Sequence, residues 1–152
     1  MPDIGTVENR KSGASASDLS ALTARVAALE AAAAVPQTFT CPSGVTVRQL
    51  LYQSGSGAAD LADASNAAKM PAIGFVASKP TSTSCTLQDE DELSGFAGLT
   101  PGAVYYADPA TPGGITSTLP DVTAGKVVQQ VGVAKSATVL RVDISTPPPV
   151  NP

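Results

Sequence analysis

The side chains best suited to chemistry in this chain are carboxylates. Asp89, Glu90, Asp91 and Glu92 form an unbroken run, and four adjacent carboxylates could hold a hard cation such as calcium, which takes oxygen ligands. EF-hand loops set their ligands at alternating positions around a central glycine, and this run has neither feature, so a solvated loop between strands is expected. Asp60, Asp63 and Asn66 offer oxygens spaced by three, but their Ala-rich setting suits an exposed turn or short helix. Serine and threonine are abundant, yet a hydroxyl nucleophile requires a base. The sequence has no histidine, so that base would be Lys69, Lys79, Lys126, Lys135 or a carboxylate, and no nucleophile-elbow pattern accompanies them. Histidine is also the commonest zinc ligand and the side chain best suited to proton transfer near neutral pH. Tyr52, Tyr105 and Tyr106 could form an aromatic platform for a sugar, although core or interface positions suit them better. The expectation is a non-enzymatic protein with no catalytic residues, no metal site and no cofactor.

Composition narrows the partners. The 152 residues allow one ordinary domain with appendages. Net charge is −4 and the nine Lys and Arg are scattered, which leaves no basic face for a phosphate backbone, so nucleic acid is not an expected partner. No apolar run reaches the roughly 18 residues of a membrane span, and Met1 to Lys11 lacks the apolar core of a signal peptide. Synthesis in the cytoplasm is expected, with no membrane association. Cys41 and Cys85 are the two cysteines; they could make one disulfide, but in a cytosolic chain they are expected as small buried hydrophobes with free thiols.

The elements begin with residues 1–17, a flexible arm without apolar periodicity. A helix is expected over 18–35, with Ser17 as N-cap, Asp18 in the first turn and Pro36 as the stop. Leu19, Leu22, Val26, Leu29 and Ala33 recur at spacings of three and four, the alternation of a and d positions in a coiled coil. With Leu19 at a, Arg25 is g and Glu30 the following e, the pair that meets between parallel helices. Arg25, Val26, Leu29 and Glu30 also resemble the short trimerisation motif of parallel coiled coils at every specified position. The trimerisation residues are therefore Leu19, Leu22, Arg25, Val26, Leu29 and Glu30, and a homotrimer is expected. A helix this short is marginal alone in water, so its self-association needs support from the region C-terminal to it.

From Gln37 the signals become short β-rich runs cut by Gly, Pro, Ser, Asn and Asp. Strands are expected at 38–41, 46–53, 73–78, 83–88, 104–107, 116–119, 127–134 and 139–144. The fold class is mainly β: a short N-terminal parallel trimeric coiled-coil helix followed by a small β-barrel or sandwich knob over 37–145. Residues 146–152, with four prolines, form an extended Pro-rich tail. Residues 44–52 align with 98–106 at an offset of 54, and Gly74 with Gly132 at an offset of 58, which suggests two related half-barrels. Tyr52 and Tyr106 occupy equivalent places in that repeat.

The blocks AAKMPAIGFVA (67–77), GFAGLTPGAVYY (95–106), TPGGI (111–115) and VGVA (131–134) resemble a small β-barrel module of fibre and decoration proteins in tailed-bacteriophage virions, over roughly residues 44–145. The resemblance implies a non-enzymatic, trimeric structural virion protein: a head fibre or capsid decoration protein attached to the particle by its N-terminus and projecting a C-terminal knob. It implies docking on the major capsid protein or another virion protein through the arm, for which Ile4, Val7 and Arg10 are the candidate particle-anchoring residues. The alternative is a tail-fibre-type adhesin whose knob binds a host surface receptor or glycan. A hydrolase acting on surface polysaccharide is opposed by the small size and by the lack of a paired acid cluster.

Overall fold

The structure, a computed structural model, describes residues 15–33, 37–121 and 126–144, with helix side chains described through Ala28. The chain divides into two units, one containing the helix and one containing the strands.

The helix α1 spans Ala16–Ala33, two residues earlier than the sequence suggests. Ser15, not Ser17, is its N-cap. The Ser15 Oγ accepts the Asp18 N–H at 3.2 Å, and the Asp18 carboxylate accepts the Ser15 N–H at 3.0 Å. This reciprocal box satisfies two amides that a bare helix start would leave unpaired.

The β-rich unit contains β1 (Thr38–Thr40), β2 (Leu50–Gly55), β3 (Ala58–Leu61), β4 (Ala72–Thr81), β5 (Ser84–Gln88), β6 (Glu92–Ser94), β7 (Val104–Ala107), β8 (Ile115–Thr116), β9 (Gln130–Ala134) and β10 (Val139–Val142). The mainly β expectation holds. Strands β1 to β5 close into a barrel in the order β3-β2-β4-β5-β1, and β6 to β10 form an open sheet in the order β8-β7-β9-β10-β6. Shifting every index by five converts one order into the other, so the two halves share one topology.

The equivalence extends to register. Leu50, Leu51 and Tyr52 pair with Phe75, Gly74 and Ala72, while Val104, Tyr105 and Tyr106 pair with Val133, Gly132 and Gln130. Both ladders slip at the same step, between Leu51 and Tyr52 and between Tyr105 and Tyr106. The repeated glycine has one steric cause in both halves. A Cβ on Gly74 would lie 3.1 Å from the Gln88 carbonyl oxygen, and one on Gly132 would collide with that of Arg141. Gln88 and Arg141 are themselves equivalent, pairing with Phe75 and Val133.

Side-chain size explains why one half closes and the other does not. The barrel interior holds Cys41, Val45, Leu51, Ala59, Val76 and Cys85. In the open sheet, Tyr105 stands where the barrel has Leu51 and Ile115 where it has Ala59. Barrel width grows with strand number, so five strands enclose little space, and the bulkier set does not fit. The open sheet buries that set against the first half instead: Tyr105, Val131, Ala134, Leu140 and Val142 share one core with Leu50, Ala72 and Phe75. Phe75 meets Phe96 edge-to-face at 5.8 Å, a favoured aromatic geometry.

Several strands differ from expectation for local reasons. The run at 46–53 becomes strand only from Leu50, because Gln49 Oε1 accepts the Thr46 N–H at 2.7 Å and Arg48 has φ +69°, which folds the first half into a turn. The run at 127–134 begins at Gln130 because Gln129 is fully buried and used otherwise. Its side-chain oxygen accepts the Ala72 N–H at 2.8 Å and its amide donates to the Ala72 carbonyl at 3.0 Å. One side chain thus acts as a strand backbone would and ties the second half to β4. Replacing Gln129 by Ala strands two buried backbone groups, and each unpaired group costs about 1–3 kcal/mol. Gln129→Ala should therefore lower unfolding free energy by about 2–6 kcal/mol, measured as a reduced denaturant midpoint with an unchanged slope.

Candidate functional site

The described surface with the least explanation inside its own unit is one face of α1. Leu19, Leu22 and Val26 are 55 %, 57 % and 44 % exposed, although they sit at the spacing of a helical seam. Arg25 is exposed on the same helix. Leu29 and Glu30 belong to α1, but their side chains lie outside the described set, as do the anchoring candidates Ile4, Val7 and Arg10 and the tail at 146–152. The helix thus presents three of the six residues expected to trimerise as an exposed apolar stripe, with Arg25 also exposed on the same helix.

The helix start is fixed by charge as well as by geometry. The Asp18 carboxyl is held below its usual value, first by the Ser15 hydroxyl and then by the Ser15 backbone N–H, with burial opposing. Its proximity to the helix N-terminus also favours the ionised form.

The carboxylates singled out in the sequence lie in exposed turns of the β unit and at the start of β6. Asp89 to Asp91 form the exposed turn between β5 and β6, and the exposed Glu92 is the first residue of β6. Their backbone carries the connections: Val142 N–H donates to the Asp91 carbonyl at 2.7 Å, and the Gln88 amide spans the turn to the Glu90 carbonyl at 2.9 Å. Asp63 accepts from the Ser65 hydroxyl at 2.6 Å, and Asn66 caps the single 3-10 turn Ala67–Lys69 through the Ala68 N–H at 3.0 Å. Among the described residues no three acidic or cysteine side chains converge as a metal site would require. Lys79 is committed to the barrel, donating to the carbonyls of Pro42, Ser43 and Val45, the last at 2.7 Å.

The three tyrosines do not form a platform. Tyr105 is buried, and its hydroxyl accepts the Thr100 N–H at 3.0 Å. Tyr52 packs on the shared core and Tyr106 is half-buried. The outer face of the second sheet has a cleft of about 470 Å³ lined by Glu92, Val133, Ala134, Lys135, Arg141 and Asp143. Lys135 and Glu92 pair across it at the surface. Both are at least half exposed, so the pair is screened by solvent and contributes little.

Comparisons with protein-family models, curated protein sequences and solved structures give no match. Among the described residues no helix is long and apolar enough to cross a membrane.

The Asp18 shift makes helix stability depend on pH in a definite direction. A depressed folded pKa adds stability above the unfolded value of about 4 and loses it as pH falls through the folded value. Far-ultraviolet circular dichroism of the full chain should therefore show helix signal declining below about pH 4. Asp18→Asn should remove that step while leaving the β signal in place.

Proposed function

We propose that this chain is a non-enzymatic structural protein of a tailed-bacteriophage particle. On this reading it is a homotrimeric head fibre or decoration protein, made in the host cytoplasm and resident in the virion. Its N-terminal arm docks on the major capsid protein or another virion protein, and its β-rich unit is the projecting knob. The observation that carries the reading is the exposed stripe of Leu19, Leu22 and Val26 on a capped helix outside the β unit.

The supporting argument is energetic. Each large apolar side chain left in water forgoes about 1.5–3 kcal/mol of burial, and a parallel coiled coil recovers that burial with Arg25 and Glu30 flanking the seam. A trimer then carries three arms. Their contacts reinforce one another through effective concentration, so a weak docking site becomes a durable attachment. The β unit has its own core and does not need the trimer to hide apolar surface. The sequence resemblance to virion fibre and decoration modules supplies the setting.

Sedimentation of the full chain should give three times the 15.1 kDa subunit mass. Replacing Leu22, Val26 and Leu29 together by Asp buries charge in the seam and should return the mass to that of one subunit, while Arg25→Ala should cost only about 0–1 kcal/mol. A wild-type chain that sediments as a monomer would sink the oligomeric part of the proposal. Removal of residues 1–14 should leave the trimer intact and abolish incorporation into particles. Unchanged incorporation would rule out the arm as anchor, and loss of host-cell binding without loss of incorporation on altering the knob would favour the adhesin.

A further inference from the structure

We propose that Cys41 and Cys85 are a covalent cross-linking site, at which a small-molecule disulfide oxidant converts the two thiols into a bond stapling the start of the barrel to its last strand.

The geometry rests on register. Strand β1 pairs antiparallel with β5, with Phe39 opposite Cys85 and Thr40 opposite Ser84. The ladder continues one step further, where the Cys41 N–H donates to the Thr83 carbonyl at 2.9 Å. Side chains alternate along a strand, so Cys41 projects to the same face as Phe39 and thus to the same face as Cys85. Both thiols are free, both are 3 % exposed or less, and both belong to the barrel's interior cluster. On that face the two are diagonal neighbours, and their thiols are close enough to hydrogen-bond. The Cys85 thiol is pushed up to about 12, first by burial and then by the neighbouring Cys41, with the Lys79 charge opposing. A thiol in that state is a poor nucleophile, so the pair is inert while the barrel stays shut.

The seam supplies the opening. Strand β1 has three residues, and a single pair, Thr40 with Ala58, joins it to β3. Elements held by few backbone bonds open at lower free energy than the global barrier. Cys41, just past the end of β1, leaves the interior first, whereas Cys85 stays in place on β5, which remains paired with β4. The Cys41 thiolate attacks one sulfur of oxidised glutathione, forming a mixed disulfide and releasing one glutathione thiolate. While β1 is still open, water reaches Cys85 and lifts the burial that suppresses its thiolate; the Cys85 sulfur attacks the Cys41 sulfur, the second glutathione leaves, and β1 then closes over the bond. The two thiols lose two electrons and two protons. Glutathione disulfide gains the electrons and departs as two thiols carrying the protons. The barrel then shields the new bond from reductants.

The test uses the wild-type full chain incubated with oxidised glutathione under native conditions. Peptide mapping should find a species lighter by two hydrogens with residues 41 and 85 linked within one chain. The linked form should unfold with an equilibrium constant reduced by roughly 100-fold, a typical disulfide gain, and dithiothreitol in denaturant should reverse the change. Cys85→Ala should instead accumulate the glutathione adduct on Cys41, because nothing can resolve it. Two thiols that still titrate after long oxidation, a bond between chains, or a linked form less stable than the reduced one would each overturn the proposal.

Discussion

The β unit depends on how little a five-stranded barrel can contain. Its interior accepts Leu51, Val76, Ala59 and two cysteines. The second copy of the same topology carries Tyr105 and Ile115 where the barrel has Leu51 and Ala59. Too bulky to close, that copy remains an open sheet with an apolar concave side. The outer face of the barrel, formed by Leu50, Ala72 and Phe75, fills it. One half is complete in itself and the other is completed by its neighbour, so a repeated topology yields one body with two different cores.

Joining the halves creates a polar problem at β4. Ala72 is buried against the open sheet, yet its N–H and C=O need partners in a region no further strand can enter. Gln129 solves this with an amide that mimics a strand. Further bonds cross the same join: Leu50 N–H donates to the Gly113 carbonyl at 2.9 Å, Gly113 N–H to Ala62 at 2.7 Å and Val127 N–H to Ala64 at 2.8 Å. The loops 108–114 and 126–129 therefore act as connecting structure. A fully satisfied buried network of this kind fixes one relative placement where apolar packing alone would tolerate several.

Legibility in the sequence followed the strength of the local signal. Val104 to Ala107 is a strand with the bounds its β-branched and aromatic residues suggest. The duplication was visible through Gly74 and Gly132, because the same neighbouring carbonyl excludes a side chain at both. Strands β3 and β6 carry no strand signal in the sequence: Ala58, Ala59 and Asp60, or Glu92 and Ser94, have little intrinsic preference for extended structure. Their conformation is imposed by pairing with β2 and β10. The true N-cap was legible as Ser15 followed three residues later by Asp18, a pattern overshadowed by Ser17 next to the helix pattern. Gln129 gave no signal, since a polar residue beside Val127, Val128 and Val131 reads as a surface position of an alternating strand. The exposed apolar stripe on α1 is directly legible, as the spacing of Leu19, Leu22 and Val26 alone specifies a face.

That seam asks something different of the chain from what the β unit asks. Helix α1 has 18 residues and no basic side chain in its last turn to complement the dipole, so beyond its N-terminal box little holds it locally. Short helices in water draw most of their stability from packing of an apolar face. Within one chain Leu19, Leu22 and Val26 lack such packing. The β unit, by contrast, buries Leu50, Phe75, Leu140 and Val131 completely. On the proposed reading, stability and association belong to different stretches of sequence, and substitutions in the seam would alter subunit number without touching the barrel. In the proposed virion protein this separation lets the knob fold as each chain emerges, before partners are present, and leaves trimer formation to the concentration of chains at the site of assembly.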